Sequence, residues 1–512
     1  MYHSLSIRQN VPFVTAKIVV VAVKLCYTFF MTRFVKKVLA LTLICAGFVQ
    51  AVSAVEVDEP ELQSTGSLGD SIEFENYGGP YAVIETAEAI TGIGTALGLE
   101  VAQSLETPVT VQPGAKYSLI HAVDLSTQEK LDADILLLNE NAQVDHIKNL
   151  RRIIAGYLSA AYGYDMQDAE TIAVFVTLYN AVYRGQMNVF EERYKPTVIQ
   201  HLDEQKVGLC TNWEDWPGNT QIVIPLSDLT SDLSVVDTSV ISDENVIEAL
   251  RNDTNKGVEV REELTEIKER EVVSATERAQ EAQKQATAER QAGNTEAAKQ
   301  ASAEATAQQQ MADRKTTETR TERQQIEQDK AELAAIDTTQ YVTGLFGANS
   351  GNGLYRLLTL NGATGAIVKK SPVTQIHRTA VYVVSNITLD NGDGTSTTYD
   401  DLYMAVCGID DGHSAVRLCL IDAEGLEMQL QSSEILADTT DLVQYGDFYY
   451  VIIREGEKYF VGMYDKYLAL KARSTIEVKP TSPINITGGG LLVTAPNGKP
   501  CMLSANDLSA IW

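Results

Sequence analysis

VEVREELTEIKEREVVSATERAQEAQKQATAERQAGNTEAAKQ, residues 258–300, divides the chain and decides how the rest is read. From Val258 to Asp337 there is no proline and no aromatic residue, and Gly293 is the one glycine. Glu, Lys, Arg, Gln, Ala and Thr fill the stretch, most of them strong helix formers. Ala275, Ala279, Ala282 and Ala286 keep a four–three–four spacing, while Leu264, Ile267, Ile326, Leu333 and Ile336 mark apolar positions nearer the ends. Such a thin seam of small residues suits a solvated helix or a marginal coiled coil. One continuous helix would reach about 120 Å at about 1.5 Å per residue. Gly293-Asn294, near the middle, offers an antiparallel hairpin of about half that length as the alternative, and the composition alone would also suit a disordered linker. Residues 251–340 are therefore expected to form a charged helical spacer or coiled coil, through which copies of the chain could associate.

On the N-terminal side, residues 55–250 read as a mixed α/β domain. Branched apolar runs at Tyr117–Val123, Ala133–Leu138 and Thr220–Leu226 predict strands. Between them lie a helix over Thr86–Leu105 and a helical pair that begins with VDHIKNLRRIIAGYLSAAYGY, Val144–Tyr164. Here Asp145 beside His146 raises the question of a catalytic dyad. Ile147, Leu150, Ile154, Tyr157 and Ala161 recur at intervals of three and four, which marks a helix with one buried face. Asp145 then stands where an N-cap belongs, with His146, Lys148, Arg151 and Arg152 on the polar side. Adjacent residues on a helix do not face each other, so the pair reads as a helix start. Gly163 and Gly185 close the two helices, and Asp165 or Asp168 caps the second.

On the C-terminal side, residues 341–512 are β-rich and repetitive. YRLLTLNGATGAIVKKSPVTQI (Tyr355–Ile376), VRLCLIDAEGLEMQLQSSEIL (Val416–Leu436), YFVGMYDKYLALKARSTIEV (Tyr459–Val478) and PCMLSANDLSAIW (Pro500–Trp512) share one plan. An alternating strand is followed by a turn on Asn361, Asp422, Asp465 or Asn506, then a second strand and often a Ser-Pro or Ser-Glu exit. The turn residues are 61, 43 and 41 positions apart, near the period of a propeller blade with a hairpin inserted in the first. A small propeller-like domain is the expectation, and a β-sandwich the alternative. The fold class is thus multidomain α+β.

The formal charge is −28, yet the first 54 residues carry six Lys/Arg and no acid. Without them 35 basic face 69 acidic side chains, a charge of −34 that repels phosphate backbones and argues against nucleic-acid binding. From Met31 a basic stretch (Arg33, Lys36, Lys37), an apolar run and small residues at Ala51, Ser53 and Ala54 have the layout of a secretory signal. Cleavage after Ala54 is the first expectation, with Met31 an alternative start. The apolar run is short for a permanent span, so the membrane is met only through this targeting signal. Export to the periplasm or cell envelope follows.

Chemistry-bearing motifs are few. Cys210, Cys407, Cys419 and Cys501 follow the leader. They read as buried thiols, or as one disulfide among the last three, and Cys407–His413–Cys419 is too widely spaced for zinc. DNGDGTSTTYDD offers Asp390, Asp393, Asp400 and Asp401 to calcium, but Gly392 and Gly394 stand where ligands belong and a hairpin turn is the better reading. AVDLST, Ala122–Thr127, faintly matches an Asp-x-Ser metal-adhesion loop, with Gln128 in place of its second serine. His121, His201, His377 and His413 are scattered through unlike contexts. No catalytic residue, metal ligand or cofactor is assigned.

Several blocks together resemble one family. VDEPEL, NYGGP, TAEAITGIGTALG, LDADILLLNENAQVDHIKNLRRIIAGYLSAAYGY, AVFVTLYNAVYRG, YKPTV, WPGNTQIVIPL and LYRLLTLNGATGAIVKKSP are similar to the spirochaetal 83/100 kDa antigen family. The resemblance implies an exported cell-envelope antigen and supplies no catalytic or binding residues. A non-catalytic adaptor that binds a protein or another envelope component is expected, with a periplasmic hydrolase or glycan-binding enzyme and a surface adhesin as alternatives.

Overall fold

In the computed structural model, residues 72–512 are described except 73, 78, 81–85, 115, 127–129, 140–141, 143, 214–217, 228–234, 254, 337–339, 348–352, 391–394 and 411–413. The expected signal segment and its cleavage site at Ala54 lie outside the described residues.

Strands β1 (Val109–Val111), β2 (Tyr117–Ala122), β3 (Asp132–Leu138) and β4 (Thr220–Leu226) form one sheet in chain order, every pair antiparallel. This half is therefore α+β rather than a parallel α/β arrangement. Every residue of β4 is buried, which explains its unbroken apolar run. The helices are α1 (Ala87–Val101), α2 (Ile147–Tyr162), α3 (Met166–Val182), α4 (Met187–Arg193), α5 (Pro196–Ile199), α6 (Thr238–Ile241) and α7 (Glu244–Arg251). Ile135, Leu150, Ile154, Phe175 and Ile222 lie in one apolar core with them. α1 meets α2 backbone to backbone: a Cβ added at Gly94 would stand 1.8 Å from the Ile153 carbonyl oxygen.

Two long helices follow, α8 (Val258–Ala292) and α9 (Thr295–Ala334). Gly293 closes α8 in the left-handed conformation at φ 84°, and the N–H groups of Gly293 and Asn294 return to the carbonyls of Arg290 and Glu289. This is a glycine C-cap, and it reverses the chain. The helices run antiparallel, with Glu262 paired to Lys330, Glu269 to Arg323 and Arg290 to Ser302. The hairpin alternative holds and the 120 Å helix does not. Ala275, Ala279, Ala282 and Ala286 bury against Ala298, Ala301, Ala305 and Ala312, so each half supplies the apolar face the other needs.

The C-terminal half contains four antiparallel sheets in chain order. The first holds β5 (Tyr341–Gly347), β6 (Tyr355–Asn361) and β7 (Ile367–Lys370). The second holds β8 (Tyr382–Asp390), β9 (Ser396–Cys407), β10 (Arg417–Asp422) and β11 (Met428–Gln431). The third holds β12 (Val443–Tyr445), β13 (Phe448–Glu455), β14 (Lys458–Tyr464) and β15 (Leu470–Arg473). The fourth holds β16 (Asn485–Thr487), β17 (Gly490–Thr494) and β18 (Pro500–Leu503).

Strand alternation glues successive sheets together. Tyr449, Val451 and Ile453 of β13 join the cluster shared with the second sheet, whereas Tyr450 and Ile452 join that shared with the fourth. The repeated turns are real: Gly365, Leu426, Leu468 and Leu508 all take positive φ, their N–H groups returning to Asn361, Asp422, Asp465 and Ser504. Ser504, not Asn506, therefore occupies the turn position in the last repeat. The exits bury Ser371, Ser432 and Ser474, whose N–H groups bond back to Leu357, Leu418 and Val461. Among the described residues each of the four sheets is open, and none closes on itself as a barrel.

Candidate interaction surface: the helical hairpin and its base

The hairpin is fixed at one end by charge. Arg261, fully buried on α8, donates from Nε to Glu322 at 2.6 Å and from Nη1 to Asp329 at 2.6 Å on α9. Arg251, at the end of α7, grips the same Asp329 with Nε and Nη2 at 2.9 and 3.0 Å. Burial works against the Asp329 charge, but the two guanidiniums prevail and hold its carboxyl below the usual range. Lys256 reaches Glu332 at 3.0 Å. Further along, Glu271 accepts from Thr238 at 2.8 Å and from Lys315, while Ser239 donates to Glu318 at 2.8 Å. These contacts tie both helices to α6 and α7. Arg261 lies three residues before Leu264 and Asp329 three after Ile326, so both fall in phase with the apolar seam. That phase was the signal available in the sequence.

Beyond this base the seam narrows to alanine, and most other side chains from Glu277 to Gln310 are exposed. Ala275–Ala312 carries five Glu and four Lys/Arg, so this arm is nearly neutral within a chain of −28. An open groove of about 590 Å³ runs along it between Gln283 and Gln309, with Ala279 and Ala305 in its lining.

One acidic seam lies where α8 leaves the body. Glu263 accepts from Thr171 of α3 at 3.0 Å, and its neighbour Glu170 is half-buried. Burial, opposed by Arg152 and reinforced by Glu263, pushes Glu170 up to about 7. Burial also raises Glu263, with Glu259 and Glu266 adding to it.

The sequence candidates are dispersed. His146, not Asp145, caps α2, its Nδ1 accepting from the Lys148 N–H at 3.1 Å. Burial and the nearby Lys148 push His146 down to about 3, so it is neutral and no base at ordinary pH. Asp145 is fully buried and accepts from Asn149 at 2.9 Å. Arg151 and Arg152, expected on a polar face, are buried too, donating to Thr177 and Asn149 at 3.0 Å each. α2 packs on both α1 and α3, which the single apolar stripe did not reveal.

His121 sits in the core with Nδ1 2.5 Å from Asp134, which also accepts from the Tyr157 and Tyr162 hydroxyls. Burial opposes the imidazolium, but Asp134 outweighs it and raises the His121 pKa. An acid bonded from three sides and sealed from solvent is a structural knot, out of any substrate's reach. His201 is exposed beside Gln200, His377 bonds the Gly408 carbonyl at 2.7 Å, and His413 lies outside the described residues.

No disulfide joins Cys210, Cys407, Cys419 and Cys501. Cys407 faces Arg417 and Cys419 faces Ala405 across β9 and β10, a diagonal too wide for a disulfide. Asp390 ends β8 at the hairpin turn, whereas Asp401 lies within β9 opposite Ser385, which donates to it at 2.5 Å. Asp400 follows the opposite face, and Asp393 lies outside the described residues. In AVDLST, Asp124 spends its carboxylate on the N–H and hydroxyl of Ser126 at 2.9 and 2.6 Å. Among the described residues no group of three or more His, Cys, Asp or Glu could hold a metal.

A family model described as Borrelia P83/100 protein matches residues 63–343 and 277–484. No curated protein and no solved structure matches. The matched residues span the N-terminal sheet, the hairpin and the first three of the four C-terminal sheets. The chain belongs to the Borrelia P83/100 protein family.

Proposed function

We propose that the protein is a non-catalytic, antigen-type adaptor of the cell envelope, exported to the periplasm by its leader, whose helical arm binds another protein. The observation that carries this reading is the contrast within the hairpin: a base locked by Arg261, Asp329 and Arg251, and a tip held by an alanine seam with the Arg290–Ser302 hydrogen bond beside it. Ion-pair investment at the root orients an arm whose flanks remain available for contact. Its near-neutral charge lets it approach an acidic partner, or the arm of a second copy, with little of the repulsion the rest of the chain would impose. On this reading the arm is an intramolecular coiled coil, and the four C-terminal sheets are successive blades of an open, propeller-like stack that serves as a second binding module.

The test is to shorten the arm in register, deleting residues 279–285 and 302–308 together, about two turns from each helix. The shortened and full chains are compared by in-cell crosslinking and mass spectrometry. The expected result is an unchanged melting temperature with loss of a specific envelope partner. Capture of the same partners at the same yield would remove the arm from the function.

A further inference from the structure

Among the described residues, the first C-terminal sheet has one strand fewer than the second and third. In the second and third sheets the aspartate turn joins the third strand to the fourth: Asp422 links β10 to β11, and Asp465 links β14 to β15. In the first sheet the same turn, on Asn361, joins the second strand to the third. The position before β5 is filled in the chain by α9 instead of a strand. The fourth sheet is complete by comparison, because Ala510 pairs back onto Leu503 after the Ser504 turn.

The outer edge of β5 has the chemistry of an open edge. Among the described residues, β5 has β6 on one side and no strand on the other. The Gly362 N–H donates to the Gln340 carbonyl, which sets the phase of the ladder. Val342, Gly344 and Phe346 therefore bond toward β6, and Tyr341, Thr343, Leu345 and Gly347 turn their backbone N–H and C=O groups outward. Val342 and Phe346 are 58% and 39% exposed, unusual for strand residues of this size. Tyr341–Leu389 contains four Lys/Arg and no Asp or Glu, in a chain of −28. Arg356, opposite Phe346 on β6, already draws Glu75 to 3.8 Å.

We propose that the free edge of β5 is a strand-addition site for an extended, acidic segment of a partner protein. The segment lies antiparallel to β5, as the first strand of every other sheet lies to its second. Its backbone takes up the outward groups of Thr343 and Leu345, its apolar side chains cover Val342 and Phe346, and its carboxylates face Arg356. This deepens the adaptor reading and rests on it, by giving the β half its own class of partner.

The test uses the chain from Val55 to Trp512 and a fluorescent probe, the heptapeptide Asp-Val-Glu-Ile-Asp-Val-Glu, with Lys-Val-Lys-Ile-Lys-Val-Lys as counterpart. Anisotropy should show saturable binding of the acidic peptide, at least about tenfold tighter than its lysine counterpart and weakened by salt. Thr343→Pro removes an outward N–H, spares the backbone ladder to β6 and loses the Thr343–Thr359 hydroxyl bond. It should abolish binding with only a small drop in melting temperature, the drop being matched by Thr359→Val, which should bind normally. Arg356→Gln, which spares the backbone, should weaken binding several-fold and keeps the test decisive if the proline variant misfolds. No saturable binding of the acidic peptide, equal binding of both peptides, full binding by a folded Thr343→Pro, or full binding by Arg356→Gln would each overturn the proposal. So would binding that emerges only in a chain beginning at Ile72, since the edge would then belong to the protein's own preceding residues. The readout is independent of partner capture through the arm, so either result can fail while the other stands.

Discussion

Glu170 sets a pH dependence that its neighbours make one-sided. Its carboxyl, normally near 4.5, holds its proton to about 7 because burial outweighs the attraction of Arg152. A raised acid costs nothing below its unfolded pKa, and the cost grows as pH climbs from about 4.5 to about 7, then stays. The charged groups that act on it are Arg152 on α2 and Glu263 on α8, and Glu263 in turn is bonded by Thr171 and crowded by Glu259 and Glu266. Glu170→Gln should therefore raise stability at pH 8 by about 1 kcal/mol, discounted for its half exposure, and leave pH 5 unchanged. Urea melts at the two pH values check this; an equal gain at both would refute the assignment. Nothing in the local sequence marks Glu170, since burial by a helix some ninety residues away raises its pKa. His146 was misjudged for a similar reason: a cap is legible from residue type, but a histidine cap between two packed helices is not.

Elements differ in how much of them was legible. The hairpin could be foreseen as an alternative because Gly293 is the lone glycine in a helical stretch, and the repeated turns because Asn361, Asp422 and Asp465 recur beside alternating strands. The α1–α2 contact was not legible. Glycines read as helix breakers in isolation, yet Gly94 lets two backbones touch. Gly94→Ala should cost about 3 kcal/mol or more, because the methyl meets main chain that cannot rotate away; thermal melting measures it, and a loss under about 0.5 kcal/mol would mean the helices shift freely. Asp329→Ala should leave Arg261 only partly paired in the core and cost about 3–5 kcal/mol locally. Hydrogen exchange should accelerate through residues 258–274 and 315–334 while the C-terminal sheets keep their protection. Uniform acceleration across the chain would show instead that the base does not open by itself.

At the scale of the whole molecule, the two folded halves meet rather than being held apart by a spacer. Lys148 of α2 stands 3.3 Å from Glu427, between β10 and β11, with both side chains partly exposed. Charge reversal at either residue should destabilise by about 0.5–1 kcal/mol, and the double swap Lys148→Glu with Glu427→Lys should recover most of it. A double-mutant cycle by denaturant melting gives the coupling; additive losses would mean that the pair contributes nothing to the junction. The sequence announced the three segments by composition, but a contact 279 residues apart leaves no trace in composition or period.

The reversal at Gly293 has one more consequence. Because α8 leaves the body and α9 re-enters it side by side, matched insertions or deletions on the two helices change the reach of the tip and nothing at the root. Length and sequence of the distal arm are thus free to drift between relatives without disturbing the folding of either half. Variation should gather there, and the clamp residues below it should stay fixed.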